Sequence, residues 1–160
     1  MRLIIAAVGR LKEGPERELL TRYRSRLDAL SKQVALAPVT WQEIGESRAA
    51  SAAERKREEG AALLARARDA DTVIVLHEGG KLLTSEAFAR YLGKSRDDGC
   101  KAAAFLIGGP DGHGSAVLDA ARLVFSLGAI TLPHALARIV LAEQLYRAAT
   151  ILAGHPYHRP

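Results

Sequence analysis

Five short apolar runs, each followed by a segment with helical periodicity, constrain this chain more than any other feature of its sequence. Residues 2–8 read as a buried strand that ends at Gly9, and Pro15 stands where a first helical turn would begin. Leu19, Leu20, Tyr23, Leu27 and Leu30 then recur at helical spacing, which predicts an amphipathic helix over roughly 14–30. Residues 34–44 form a second strand pattern, placed at a sheet edge by Pro38, which has no N–H to donate to a ladder. Ser51 and Glu54 make a capping box for an alanine-rich helix to about Asp69, weakened at Gly60 by about 1 kcal/mol relative to alanine. A β-branched run at 72–76 precedes a helix capped at Thr84 or Ser85 and stopped near Asp98 by Gly99. A fourth strand follows at 101–107, a short helix at 115–122, and an extended segment at 123–132 broken near Gly128. The last helix is expected over 134–153, with a polar tail behind it. Connections of this length join parallel neighbours, so the pattern predicts an α/β fold around a mostly parallel sheet with helices on both faces. With no repeat, low-complexity tract or linker, residues 1–160 are expected to form one domain.

Charge and composition narrow the partner class. A 48% hydrophobic, 26% charged chain of this length can bury a core without crosslinks, and its single cysteine, Cys100, excludes an internal disulfide framework or a multi-cysteine zinc site. The opening apolar run is too short for a signal peptide and no segment reaches membrane-spanning length, which makes cytoplasm the expected location and a membrane an unexpected partner. The net charge of +5 favours polyanions. Between 10 and 26, Arg10, Lys12, Arg17, Arg22, Arg24 and Arg26 outnumber Glu13, Glu16 and Glu18. Glu13 precedes Arg17, and Glu18 precedes Arg22, by four residues, so a solvated helix face laced with ion pairs explains the same run. Nucleic acid is the leading partner class, but charge alone does not carry that expectation.

Ligands of open α/β sheets sit beyond the carboxyl ends of strands. Three such ends here are unusual: His77-Glu78-Gly79-Gly80-Lys81, the glycine-rich 108–114 segment, and the 126–134 segment ending Thr131-Leu132-Pro133-His134. Glycines there permit close backbone approach to a ligand, although Pro110-Asp111-Gly112 is also an ordinary tight turn. Neither GxGxxG nor GxxxxGK[ST] nor GxSxG is present, which disfavours dinucleotide, P-loop and α/β-hydrolase enzymes. In the last helix Ala142, Leu145, Ala149 and Leu152 all fall within about 40° of Arg138 at 100° per residue. Arg138 therefore either snorkels from the end of an apolar stripe or reaches an RNA phosphate or a carboxylate across an interface. So apolar a helix needs cover on several sides, which a homodimer would supply. The tail residues His155, Tyr157, His158 and Arg159 combine stacking, phosphate contact and proton transfer; they lack the carboxylate or thiol partners of a metal site, and no metal is expected.

Several of these segments resemble one family. Leu106-Ile107-Gly108-Gly109-Pro110-Asp111-Gly112 is similar to the LIGGPEG loop of the RlmH family of SPOUT RNA methyltransferases. Ser126-Leu127 through Thr131-Leu132-Pro133-His134 resembles its second signature, Ala142-Glu143-Gln144-Leu145-Tyr146-Arg147-Ala148 its helical one, and His155-Pro156-Tyr157-His158-Arg159 its ending. The resemblance spans essentially the whole chain. His77, where aspartate is common, and Gly128, where serine is frequent, depart from the family pattern.

The resemblance implies a SPOUT α/β-knot fold, with a C-terminal deep trefoil knot, a homodimer, and S-adenosyl-L-methionine (SAM) as methyl donor. By position Leu76, Gly108, Leu127, Gly128, Ala129, Ile130, Thr131 and Leu132 would line the SAM pocket. The implied substrate is a pseudouridine in the helix 69 loop of 23S rRNA, methylated at N3 within assembled ribosomes; DNA is not implied. In that chemistry His158, or secondarily His134, would assist loss of the N3 proton. Arg147 and Arg159 would anchor phosphate or base carbonyl oxygens, and Tyr157 would stack or position the base. The tail of one protomer would complete the site of the other. A different SPOUT RNA methyltransferase and a noncatalytic ribosome-associated RNA-binding protein are the alternatives, and SAM binding separates the second of these from an enzyme.

Overall fold

The computed structural model describes residues 1–158, in which strands and helices alternate throughout. They are β1 (Arg2–Val8), α1 (Pro15–Ser31), β2 (Val39–Ile44), α2 (Ala52–Ala67), β3 (Thr72–Leu82), α3 (Ser85–Asp97), β4 (Ala102–Ile107), α4 (Ser115–Asp119), β5 (Leu123–Ser126) and α5 (His134–Leu152). The five strands form one sheet in the order β2-β1-β4-β3-β5, and every pairing is parallel. β2 lies at an edge, as Pro38 requires.

Alternation along the strands divides the core into two layers. Leu3, Ile5 and Ala7 of β1, Ile74 and Leu76 of β3, and Ala103, Phe105 and Ile107 of β4 face α1, α3 and α5. Ile4, Ala6, Val8, Val75, Ala104 and Leu106 face the opposite way, onto Leu63 and Ala67 of α2 and Val117 of α4. Phe88 of α3 stacks on Phe125 at 4.9 Å and meets Phe105 edge-on at 6.1 Å, which pins α3 to the β5 side of the sheet. α5 runs beneath the sheet between α1 and α3. The cover its apolar circumference demands comes from these elements of the same chain, with Leu141, Leu145, Ala148 and Ala149 all in the core.

Capping follows the sequence closely. Ser51 Oγ accepts the Glu54 N–H at 3.2 Å and donates to the Glu54 carboxylate at 3.0 Å, closing the predicted box, and Thr84 caps α3 through the Ala87 N–H. Four boundaries differ from expectation. β2 starts at Val39 rather than 34, because Gln33–Ala35 form a hydrogen-bonded turn with Ala35 at φ 54° while Val34 and Leu36 turn into the core. β3 runs on to Leu82: its pairing with β5 breaks after Leu76 and resumes at Lys81, across an irregularity containing Gly79 and Gly80. β5 ends at Ser126, where the Ser126 hydroxyl binds the backbone of Gly128 and turns the chain out of the sheet. α4 stops at Asp119. No helix among the described residues is long and apolar enough to cross a membrane.

Candidate functional site

Because β4, β3 and β5 are adjacent in the sheet, the segments following them gather at one end. β4 feeds β5 across the end of β3, so the 108–114 loop and the 127–133 loop flank the carboxyl end of β3 at Leu76. Between them lies a cavity of about 640 Å³, within the range of small-ligand clefts. Leu76, Ile107, Leu127, Leu132 and Pro133 give it apolar surface, and His77, Glu78, His113, His134 and Lys56 give it polar groups. Thr131 donates to Glu78 Oε2 at 3.4 Å, tying the 127–133 loop to the middle strand, β3. At Gly108 a Cβ would sit 3.2 Å from the Gly112 carbonyl carbon and from the His113 ring, so a side chain there would press on the loop and the His113 ring.

Seven of the eight residues expected to line a SAM pocket do line this cavity: Leu76, Gly108, Leu127, Gly128, Ile130, Thr131 and Leu132. Ala129 is absent from its wall. Of the described residues expected to handle the methyl acceptor, His134 alone lies on the cavity. Arg147 is thirteen residues further along α5, about 20 Å at 1.5 Å per residue. There it forms a second cluster with the tail. Gly154, at φ 66°, turns the chain back, and the Tyr157 ring settles 4.7 Å from that of Tyr146 with the Arg147 guanidinium over it at 4.9 Å. Glu143 Oε1 accepts from Arg147 Nε at 2.9 Å and Nη2 at 2.6 Å and from the Tyr157 hydroxyl at 3.2 Å. Burial, with the Glu143 charge adding to it, pushes the Tyr157 phenol up to about 12 and keeps it protonated at neutral pH. His158 Nε2 lies 2.7 Å from Glu86 Oε1 at the start of α3. Arg159 falls outside the described residues.

Arg138 resolves in favour of a carboxylate within its own chain. It is 2% exposed and donates to the carbonyls of Val8 and Gly9 at the end of β1, and to Glu43 Oε1 on β2 at 3.2 Å. The arginine thus clamps two strand ends to the first turn of α5 and fixes where His134 stands.

Two cavity residues carry polar groups to which sequence reasoning assigned no role. His113 is buried, and its Nε2–H donates to the Leu76 carbonyl at 3.1 Å. Burial lowers its pKa from 6.5 to about 4, which keeps the ring neutral and makes it a wall rather than a charge. A histidine between two glycines at the end of the 108–114 loop was the available signal. Lys56 comes from α2, where an exposed lysine on an amphipathic helix carries no signal.

A parallel sheet with its cleft at the carboxyl ends of β3, β4 and β5 places the cavity where ligands of open α/β sheets sit. The sequence family described as "Predicted SPOUT methyltransferase" matches residues 1–158, and the chain belongs to the SPOUT methyltransferases. It is 49% identical over 159 residues to ribosomal RNA large subunit methyltransferase H of Nitrobacter hamburgensis, covering 99% of both chains. It is 51% identical over 159 residues to the protein of the same name from Methylobacterium sp. strain 4-46, covering 99% of this chain and 98% of that one. Within the SPOUT class its family is that of ribosomal RNA large subunit methyltransferase H. A solved structure from Legionella pneumophila, described as a methyltransferase in complex with SAM, overlaps 91% of this chain and 65% of its own length, at a TM-score of 0.43 and 13% identity.

Proposed function

We propose that this chain transfers a methyl group from SAM to N3 of a pseudouridine in the helix 69 loop of 23S rRNA, acting on assembled ribosomes as a cytoplasmic homodimer. The observation that carries the reading is the cavity at the ends of β3, β4 and β5. Its volume, its apolar walls and its tightly folded glycine loop suit an adenosine with a short charged tail. Glu78 and Lys56 on the same wall have the charges to meet an amino acid's ammonium and carboxylate. The full-length relatives, named as large-subunit rRNA methyltransferases, supply the substrate class.

SAM, when bound, supplies an activated methyl carbon on a sulfonium. The protein's share is to hold the acceptor nitrogen in line and to take its proton. Leu76, Gly108 and the 127–132 loop hold the donor, and His158 or His134 takes the proton. Arg147 and Arg159 hold phosphate or base oxygens, and Tyr157, kept as the phenol, packs against the base. Since Arg147, with Tyr157 against it, stands about 20 Å along α5 from His134, the second copy brings its tail to the pocket. The exposed apolar side chains Ile130 on the pocket loop, Leu136 on α5 and Leu19 on α1 offer surface for that copy.

The test is transfer of labelled methyl from SAM to ribosomes lacking the modification, with free rRNA in parallel. Label on one 23S pseudouridine, appearing only with assembled ribosomes, is the expected result. Label on a different nucleotide, or on free rRNA equally well, removes the substrate assignment, and no label on either RNA leaves another methyl acceptor or a noncatalytic binding protein.

A further inference from the structure

A second cavity, of about 840 Å³, shares no wall residue with the first and lies where α3, the start of β5, the second half of β3 and the last turn of α5 meet. Lys81, Arg90, Lys94, Arg96 and Arg122 stand on its wall against one carboxylate, Asp97. Arg96 takes up that carboxylate at 2.8 Å and also donates to the Val34 carbonyl, and Lys94 pairs with Asp98 at 2.9 Å. Lys81, Arg90 and Arg122 are exposed and form no ion pair with any described residue. Leu83, Tyr91, Leu123 and Leu152 give the groove an apolar floor. A Cβ at Gly93 would stand 2.9 Å from Leu152 Cδ2, so the glycine lets that side chain lie against α3.

The cations of α1 are placed differently. Glu13, Glu16 and Glu18 are interspersed among them, Arg17 reaches Glu13 and Glu43, and Arg24 and Arg26 lie over aromatic rings. In the groove positive charge is left over, brought together by the fold from residues 81, 90 and 122 rather than by a run in the sequence.

We propose that this groove is an RNA docking surface, in which Lys81, Arg90 and Arg122 meet backbone phosphates of the substrate rRNA and the floor, with Tyr91, receives an unstacked base. The inference deepens the methyl-transfer reading and rests on it for the partner. Phosphate contacts from lysine and arginine fix the register of a nucleic acid on a protein whatever its sequence. Aromatic and apolar surface beside such cations suits a base that has left its stack. The groove also leads to the acceptor-handling tail. His158 lies 2.7 Å from Glu86 in the first turn of α3, and Arg90 and Lys94 follow at about 6 and 12 Å along the same helix. RNA held along α3 therefore runs toward the residues assigned to the methyl acceptor.

The experiment measures binding to ribosomes by sedimentation over a range of salt. It compares wild type, the triple variant Lys81→Gln, Arg90→Gln, Arg122→Gln, and a charge-matched control, Arg57→Gln, Arg66→Gln, Arg68→Gln. The control residues are exposed on and just after α2, which packs on the opposite face of the sheet. The groove variant should bind about tenfold more weakly or worse, its slope of log affinity against log salt reduced by about 2–3, close to one per lost phosphate contact. KM for ribosomes should rise to match, while SAM affinity and melting temperature hold, and each single substitution should take about a third of the change in slope. The control should keep the wild-type slope. A photo-crosslinking residue in place of Arg90 should join to rRNA. A groove variant that binds like the control, or a crosslink to ribosomal protein alone, overturns the proposal. Wild type that binds ribosomes through these cations yet transfers no methyl removes the enzymatic reading and leaves the groove. Wild type that methylates rRNA no better than the groove variant at limiting ribosome concentration removes the groove and leaves the reading.

Discussion

At neutral pH the imidazole of His113 carries no charge, and its one proton is committed to the Leu76 carbonyl. This residue makes stability depend on pH in a definable window. Its folded pKa of about 4 lies below the ordinary 6.5, so the unfolded chain takes up a proton first as pH falls. The contribution is complete above about 6.5 and is lost progressively down to about 4, amounting to about 3 kcal/mol in all. Urea unfolding of wild type and His113→Leu across that range should show the leucine variant losing this part of the pH slope; parallel slopes would mean that His113 protonates freely in the folded state. A second residue-scale expectation concerns the tail. His158→Ala should lower turnover far more than it lowers SAM affinity if that ring meets the acceptor. Equal loss of both would make the tail part of the SAM site. Arg138 shows what sequence conveys at this scale: helical spacing put a cation in an apolar stripe, but its partners, the Val8 and Gly9 carbonyls, lie more than a hundred residues away.

Among the elements, the lengthened β3 bears most directly on the cavity. Its second half rejoins β5 only because Gly80 has no side chain: a Cβ there would stand 2.7 Å from the carbonyl carbon of Phe125 and 2.9 Å from the Ser126 nitrogen. Backbone cannot yield as a flexible side chain can. Gly80→Ala should therefore cost about 1–3 kcal/mol and weaken SAM binding by displacing the 126–128 turn, as seen by thermal unfolding and by calorimetry of the same sample. An unchanged melting temperature would show that β3 and β5 are not pressed together there. Local signals were legible wherever a side chain acts within a few residues, as in the Ser51–Glu54 box, the Thr84 cap and the edge position of β2. They failed where pairing partners decide. The run at 34–38 had strand composition but turns into the core, and 77–82, with its two glycines, looked like loop until β5 was beside it. The pocket loops, His113 with them, were legible as glycine-rich strand ends, whereas Lys56 became visible only once distant segments met.

For the molecule as a whole, strand order does the assembling. Placing β3 between β4 and β5 sets two long loops on either side of one strand end, and α5 carries the chain from that cavity to the aromatic and arginine cluster around the tail. One protomer thus holds the cavity at one end of α5 and the tail cluster at the other; under the proposed function these are donor and acceptor groups that a second copy brings together. The net charge of +5 suits an RNA partner, and association should weaken with salt. All of this depends on the cavity being the SAM site. Isothermal titration of SAM into the folded protein tests that most directly. One SAM bound per protomer, with Gly108→Val folded but unable to bind, is the expected result. A folded wild type that takes up no SAM, or a Gly108→Val variant that binds it unchanged, would contradict the placement of the donor between the 108–114 and 127–133 loops.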